Sequence, residues 1–248
     1  MVRERWRGHG AGAGWEGAVL RLLRAQDFVL TVLDARDVTP HYRRLRLSDG
    51  GLLAATGVHP TMWVRLWFAA DGRPHQRAYT LVDPDPGTGT FGLEFALHEG
   101  TASDWARAAR PGDTIEATVQ GTGFRDPEPA PSHVVAIGDP ASLPALNSLL
   151  DALGPAPATV WFEGDPARLP CRTVPGRHEI RAVPRRDAGA HLVERVRAEL
   201  PAVLAGTPHP YVWIACDTAT TRTLAAHVRK DLGVPKDRVH ALGYWRAR

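Results

Sequence analysis

The run "QRAYTL" (residues 76–81) sets a cation, an aromatic ring and a hydroxyl within four positions: Arg77, Tyr79 and Thr80. In a β-strand alternate side chains share a face, so Arg77 and Tyr79 stand together while Ala78 and Thr80 point the other way. A guanidinium beside a flat ring can hold a phosphate and stack on a planar ligand, and the same pair also suits an ordinary strand surface. Thr101, Ala102 and Ser103 open "TASDWARAA", a predicted helix. Backbone N–H groups at such a start suit a pyrophosphate, whereas plain N-capping by Thr101 or Ser103 would use the same residues. Gly138 and Asp139 close the apolar run "HVVAIGD", and Asp217 closes "YVWIACD". A glycine at a strand end lets backbone approach a ligand. Glu163 and Asp165, after another strand, read as exposed loop acids, and Trp105 reads as core.

These residues need two kinds of scaffold. From "DFVLTVLDARD" through "RPGDTIEATVQG", short alternating strands are separated by turn signals such as "PDPGTG", with "TASDWARAA" the helix among them. That pattern predicts an antiparallel barrel. Beyond "DPEPAPS", strands alternate with helices and several strands are apolar on both faces, which predicts a parallel sheet covered by helices. Ligands bind such sheets at the carboxyl ends of the strands, where "GDPAS" and "ACDTAT" fall. The expected fold class is therefore β plus α/β. Its divisions are a partly flexible leader over 1–25, with a short amphipathic helix in "AVLRLLRAQ", a barrel over 26–125, a linker over 126–132 and a nucleotide-binding-type domain over 133–248.

Composition narrows the function. The 248 residues are 44% hydrophobic and 23% charged, as in globular proteins, and no stretch approaches the ~20 apolar residues that span a bilayer. The N-terminus has no signal-peptide pattern, so the cytoplasm is the expected compartment. A net charge of +3 without a basic stripe argues against nucleic acid. Cys171 and Cys216 form no metal pattern and are expected as reduced thiols, and no metal site is expected. The stretch "GTGF" is no GxGxxG dinucleotide fingerprint, and no GxxxxGK(S/T) loop occurs.

With these residues in view, the chain resembles the siderophore-interacting proteins, or ferric-siderophore reductases, of the ferredoxin-reductase-like superfamily. The resemblance runs from about Phe28 to Arg246 and rests on "VTPHYRRLRL", "RAYT", "FALHEGTASDWARAARPGD", "AIGDPASLPAL", "YVWIACDTATTRTLAAHVRKDLG" and "LGYWRAR" in that order. It implies an FAD between the domains, hydride from NADPH or NADH, and electrons passed to Fe(III) in a siderophore. Arg77 would neutralise an FAD phosphate, Tyr79 would pack on the isoalloxazine, and Thr80 would lie near flavin N5. His98 would approach the phosphates or adenine; otherwise it is a strand-end histidine bonded to backbone. Trp245 would shield the flavin and Arg246 would meet an anionic siderophore or phosphate; otherwise they form a terminal strand with a solvated arginine. Gly138, Asp139 and Asp217 fall on the nicotinamide side.

Two departures from the family pattern fall on that side: Pro140 stands where the family usually has an acidic residue and Cys216 where it has a glycine, while Val82 replaces an arginine that would give a second phosphate or flavin contact. A fold repurposed for a metabolite or a non-redox biosynthetic step, with or without FAD, is the alternative, and a ferredoxin as electron donor is a third possibility.

Overall fold

The computed structural model describes residues 26–70, 73–119 and 124–246. The helix expected in "AVLRLLRAQ" lies outside these residues except for Gln26, which opens a strand. The described residues form two compact units. One takes residues 26–36, 44–58 and 62–119; the other takes 124–246 with 37–43 and 59–61.

The first unit is built on β1 (Gln26–Thr39), β2 (Tyr42–Ser48), β3 (Trp63–Ala70), β4 (Arg73–Thr80), β5 (Val82–Asp85), β6 (Thr90–Ala96) and β7 (Thr114–Val119), with helices α1 (Leu52–Thr56) and α2 (Thr101–Ala108). The seven strands form one sheet in the order β4-β3-β7-β1-β2-β6-β5, and the β1–β7, β3–β4, β3–β7 and β5–β6 pairs run antiparallel. β4 and β5 stand at the two ends of this order, and where the strand pattern predicts an antiparallel barrel the structure has a curled antiparallel sheet. Alternation does the folding work. Leu45 and Leu47 of "YRRLRLS" are fully buried, while Arg46 between them is exposed and Arg44 before them is half-buried. Leu30, Val32, Val64, Leu66, Phe91 and Phe95 complete the same core.

The second unit contains β8 (His133–Gly138), α3 (Leu143–Ala152), β9 (Ala158–Glu163), β10 (His178–Val183), α4 (Ala190–Leu204), β11 (Pro210–Ala215), α5 (Thr218–Ala226) and the short β12 (Val239–Ala241). Its sheet is wholly parallel, ordered β10-β9-β8-β11-β12. Strands buried on both faces explain their continuous apolar runs, with Trp161 and Trp213 fully enclosed. The order reverses between β8 and β11, so the topological switch point lies outside the carboxyl ends of those two strands.

Arg238 secures the entry to this sheet. It is only 6% exposed and donates to three carbonyls, those of Pro129 (2.6 Å), His209 (3.0 Å) and Pro210 (3.0 Å). A planar fork of donors can span three acceptors that an ammonium cannot. We expect Arg238→Leu to cost about 2–4 kcal/mol of unfolding free energy, because it strands buried acceptors. Arg238→Lys should recover only part of that loss. Urea denaturation of the three proteins is the check.

Candidate functional site

The β3–β4 ladder places the first group. Tyr79 lies opposite Val64 and Arg77 opposite Leu66, so ring and guanidinium share the face that carries the core. Thr80, opposite Trp63, is on the other face and buried. The ladder ends there, and Leu81 belongs to neither β4 nor β5. The half-buried Tyr79 ring packs 4.3 Å from Phe95 and edge-on to Phe68 at 6.5 Å. Burial pushes its hydroxyl well above the usual tyrosine range, against the opposing pull of Arg77. Arg77 itself is exposed, with Nη1 donating to the Gln76 carbonyl at 2.8 Å.

Helix α2 reaches the same cluster through Trp105, whose ring lies 5.7 Å from Phe68 and 6.1 Å from Phe95. Trp105 is thus packed against the core, and four rings join the "RAYT" strand to the helix. No side chain caps α2. Gly100 precedes it, and Ser103 instead accepts from the backbone N–H of His98 at 3.1 Å. Neither Thr101 nor Ser103 acts as an N-cap, so the N–H groups of Thr101, Ala102 and Ser103 stay open at the positive end of the helix dipole. His98 is exposed, its Nδ1 sits 2.6 Å from the Glu99 carbonyl, and Arg107 donates to its own carbonyl.

In the second unit Gly138 ends β8 and Asp139 follows it, 3% exposed. The Oδ1 of Asp139 accepts from Ala141 N (2.9 Å) and Ser142 N (3.1 Å), and its Oδ2 accepts from Trp245 Nε1 (2.7 Å). Asp217, beyond β11, caps α5 by accepting from Ala219 N and Thr220 N. Trp245 adds its carbonyl to the Thr218 N–H and hydroxyl. Arg185 lies over the Trp245 ring at 4.7 Å and is paired with Glu163. Arg246 is exposed.

Glu163 is a correction: it is 3% exposed, not a loop acid, although Asp165 is exposed. Arg185 also went unnoticed in the sequence, since it follows β10 by two residues with no motif around it. Cys216 is buried and Cys171 half-buried, both free thiols. The chain's end is not an extended strand: β12 is three residues long and Trp245 makes a single bridge to Asp217. Burial raises the carboxyl of Asp139 above the usual range, opposed by Trp245, Ser142, Ala141 and Arg185. Burial also raises Glu163, opposed by Arg185 and reinforced by Asp139 and Asp217.

Two family models match the chain: the siderophore-interacting protein over residues 131–248 and the siderophore-interacting FAD-binding domain over 55–121. The chain belongs to that siderophore-interacting family. The mycobactin import ATP-binding/permease protein IrtA of Mycolicibacterium thermoresistibile is 35% identical over 245 residues, covering 94% of this chain and 26% of the relative. The chain thus spans about a quarter of the length of that relative. The siderophore-interacting protein of Acinetobacter baumannii superposes with a TM-score of 0.76 at 22% identity, over 89% of this chain and 91% of the other. A ferredoxin-NADP+ reductase of Plasmodium falciparum gives 0.69 at 12% identity, over 88% and 96%. The fold is that of FAD-binding oxidoreductases.

A carboxyl raised by burial favours the fold fully below the ordinary aspartate pKa of about 4, and that contribution is lost as pH rises through the folded value. Asp139→Asn cannot ionise. Its melting temperature relative to the parent should therefore climb as pH is raised from about 4 toward neutrality. Thermal scans across that range test this, and a flat difference would contradict it.

Proposed function

We propose that the chain is an FAD-containing oxidoreductase that reduces Fe(III) in a siderophore and so releases Fe(II), with NADH or NADPH as the reductant the family implies. The observation that supports it best is the uncapped start of α2, linked by four packed rings to Arg77 and Tyr79. These residues fit FAD. The N–H groups of Thr101, Ala102 and Ser103 would take its diphosphate, Arg77 would neutralise phosphate charge, and Tyr79 would offer its exposed edge to the flavin ring. Thr80 follows with a buried hydroxyl. Bound FAD would supply the electron transfer, and the chain's residues would hold it and keep water from its ring. Fe(II) binds hard oxygen ligands less tightly than Fe(III), which makes reduction a release step.

The IrtA relative is named for mycobactin import, so a siderophore of that kind is the first substrate to test. A second reading keeps fold and FAD without nicotinamide turnover, with a metabolite, a non-redox step or ferredoxin in its place. It is favoured by the filled loops around Asp139 and Asp217.

The purified protein should carry an oxidised flavin band that anaerobic NADH or NADPH bleaches and ferric mycobactin restores, with Fe(II) captured by a ferrous chelator. A band that neither dinucleotide bleaches favours the second reading, and a protein that binds no FAD refutes both flavin readings. Arg77→Ala should weaken FAD binding about 10- to 100-fold, the loss of one charge-assisted phosphate contact. Titration of the apoprotein with FAD reads this directly.

A further inference from the structure

The two places that could receive a diphosphate, one in each unit, are built differently. At α2 the helix start is open. At the switch point of the parallel sheet, the protein has already used the donors. After β8, the N–H of Asp139 goes to Ser142 Oγ, those of Ala141 and Ser142 go to the Asp139 carboxylate, and Pro140 has none. At α5 the N–H of Thr218 goes to the Trp245 carbonyl, while those of Ala219 and Thr220 go to Asp217.

Backbone also covers the start of α5. A Cβ on Gly189 would meet Thr220 Oγ1 at 2.5 Å, and one on Gly243 would meet Thr218 Oγ1 at 2.7 Å, so both segments lie directly on that terminus. The local charge is of the wrong sign for a phosphate as well. Asp139, Glu163 and Asp217 are each at most 5% exposed and lie close enough to perturb one another, with Arg185 already paired to Glu163. One oxygen of Glu163 and one of Asp217 are buried without a hydrogen-bond partner. A nicotinamide dinucleotide's diphosphate would therefore find these N–H groups already taken.

We propose that Asp139 and Asp217 are built-in anions at the switch point, holding the backbone N–H groups that a dinucleotide's diphosphate would take and so keeping the affinity for NADH and NADPH low. This deepens the reading of the chain as a flavoprotein of a nicotinamide-using superfamily, on which it rests. The two carboxylates are affinity-setting residues. They act through the loops they fill, and the bias against phosphate follows from like charge as well as from the missing donors.

The test is calorimetric titration of the FAD-loaded protein with ADP-ribose, which carries the diphosphate without the nicotinamide, and with adenosine, which carries neither. Asp139→Ala and Asp217→Ala should each bind ADP-ribose about tenfold tighter than the parent, with adenosine unchanged. Asp139 also holds Trp245, so a misfolded Asp139→Ala leaves the test to Asp217→Ala, whose lost side chain caps only α5. Three results would overturn the proposal: parent affinity for ADP-ribose already near micromolar, no gain in the folded variants, or an equal gain for adenosine. The titration involves no redox step. Failure to bleach the flavin would count against nicotinamide turnover and leave this measurement standing.

Discussion

A backbone N–H can serve the protein or a ligand, but not both at once, and this chain divides its N–H groups between the two uses. Asp139 shows the protein's share. One carboxylate gathers two backbone donors from its own loop and the indole of Trp245, 106 residues away in sequence. That contact fixes the loop after β8, pins the C-terminal segment, and through the Trp245 carbonyl completes the start of α5. Arg185 then lies over the indole and neutralises Glu163. Removing the carboxylate would loosen each of these, which is why the strand-end architecture is best understood outward from it.

The proposed flavin face of the curled sheet follows the opposite logic. There the donors of α2 are left open, and rigidity comes from apolar contact. Phe68, Tyr79, Phe95 and Trp105 lock the helix onto strands β3, β4 and β6, so the open terminus is held in place without being spent on the fold. A site that must accept an anion gains from such preorganisation, because the donors need not reorient on binding.

Most of the architecture was legible in the sequence because it rests on periodicity. The strands of the curled sheet alternate, and the inner strands β8, β9 and β11 of the parallel sheet are nearly continuous apolar runs. The register of β4 also placed Arg77 and Tyr79 on one face, as alternation required. What escaped was of three physical kinds. Helix α1 spans five residues, too few for a helical period to show. Sheet closure depends on which edges pair, and alternation says nothing about partners. The burial of Glu163 depends on Arg185, 22 residues on, while its own Glu-Gly-Asp context looks like a turn. The Asp139–Trp245 bond is likewise a long-range contact with no local signature.

The strands at the two ends of the curled sheet's order, β4 and β5, carry a consequence for self-association. An unpaired strand offers its ladder groups to any passing β-segment, and such an edge is a hazard for aggregation. Here β5 is four residues long, reads Val-Asp-Pro-Asp, and takes a left-handed turn at Asp83 with φ 47°. At the other edge β4 carries Pro74. Proline removes a ladder donor and a charged side chain is costly to bury against another strand, so both margins discourage recruitment of an eighth strand. The sheet stays finite because its last strands are poor templates.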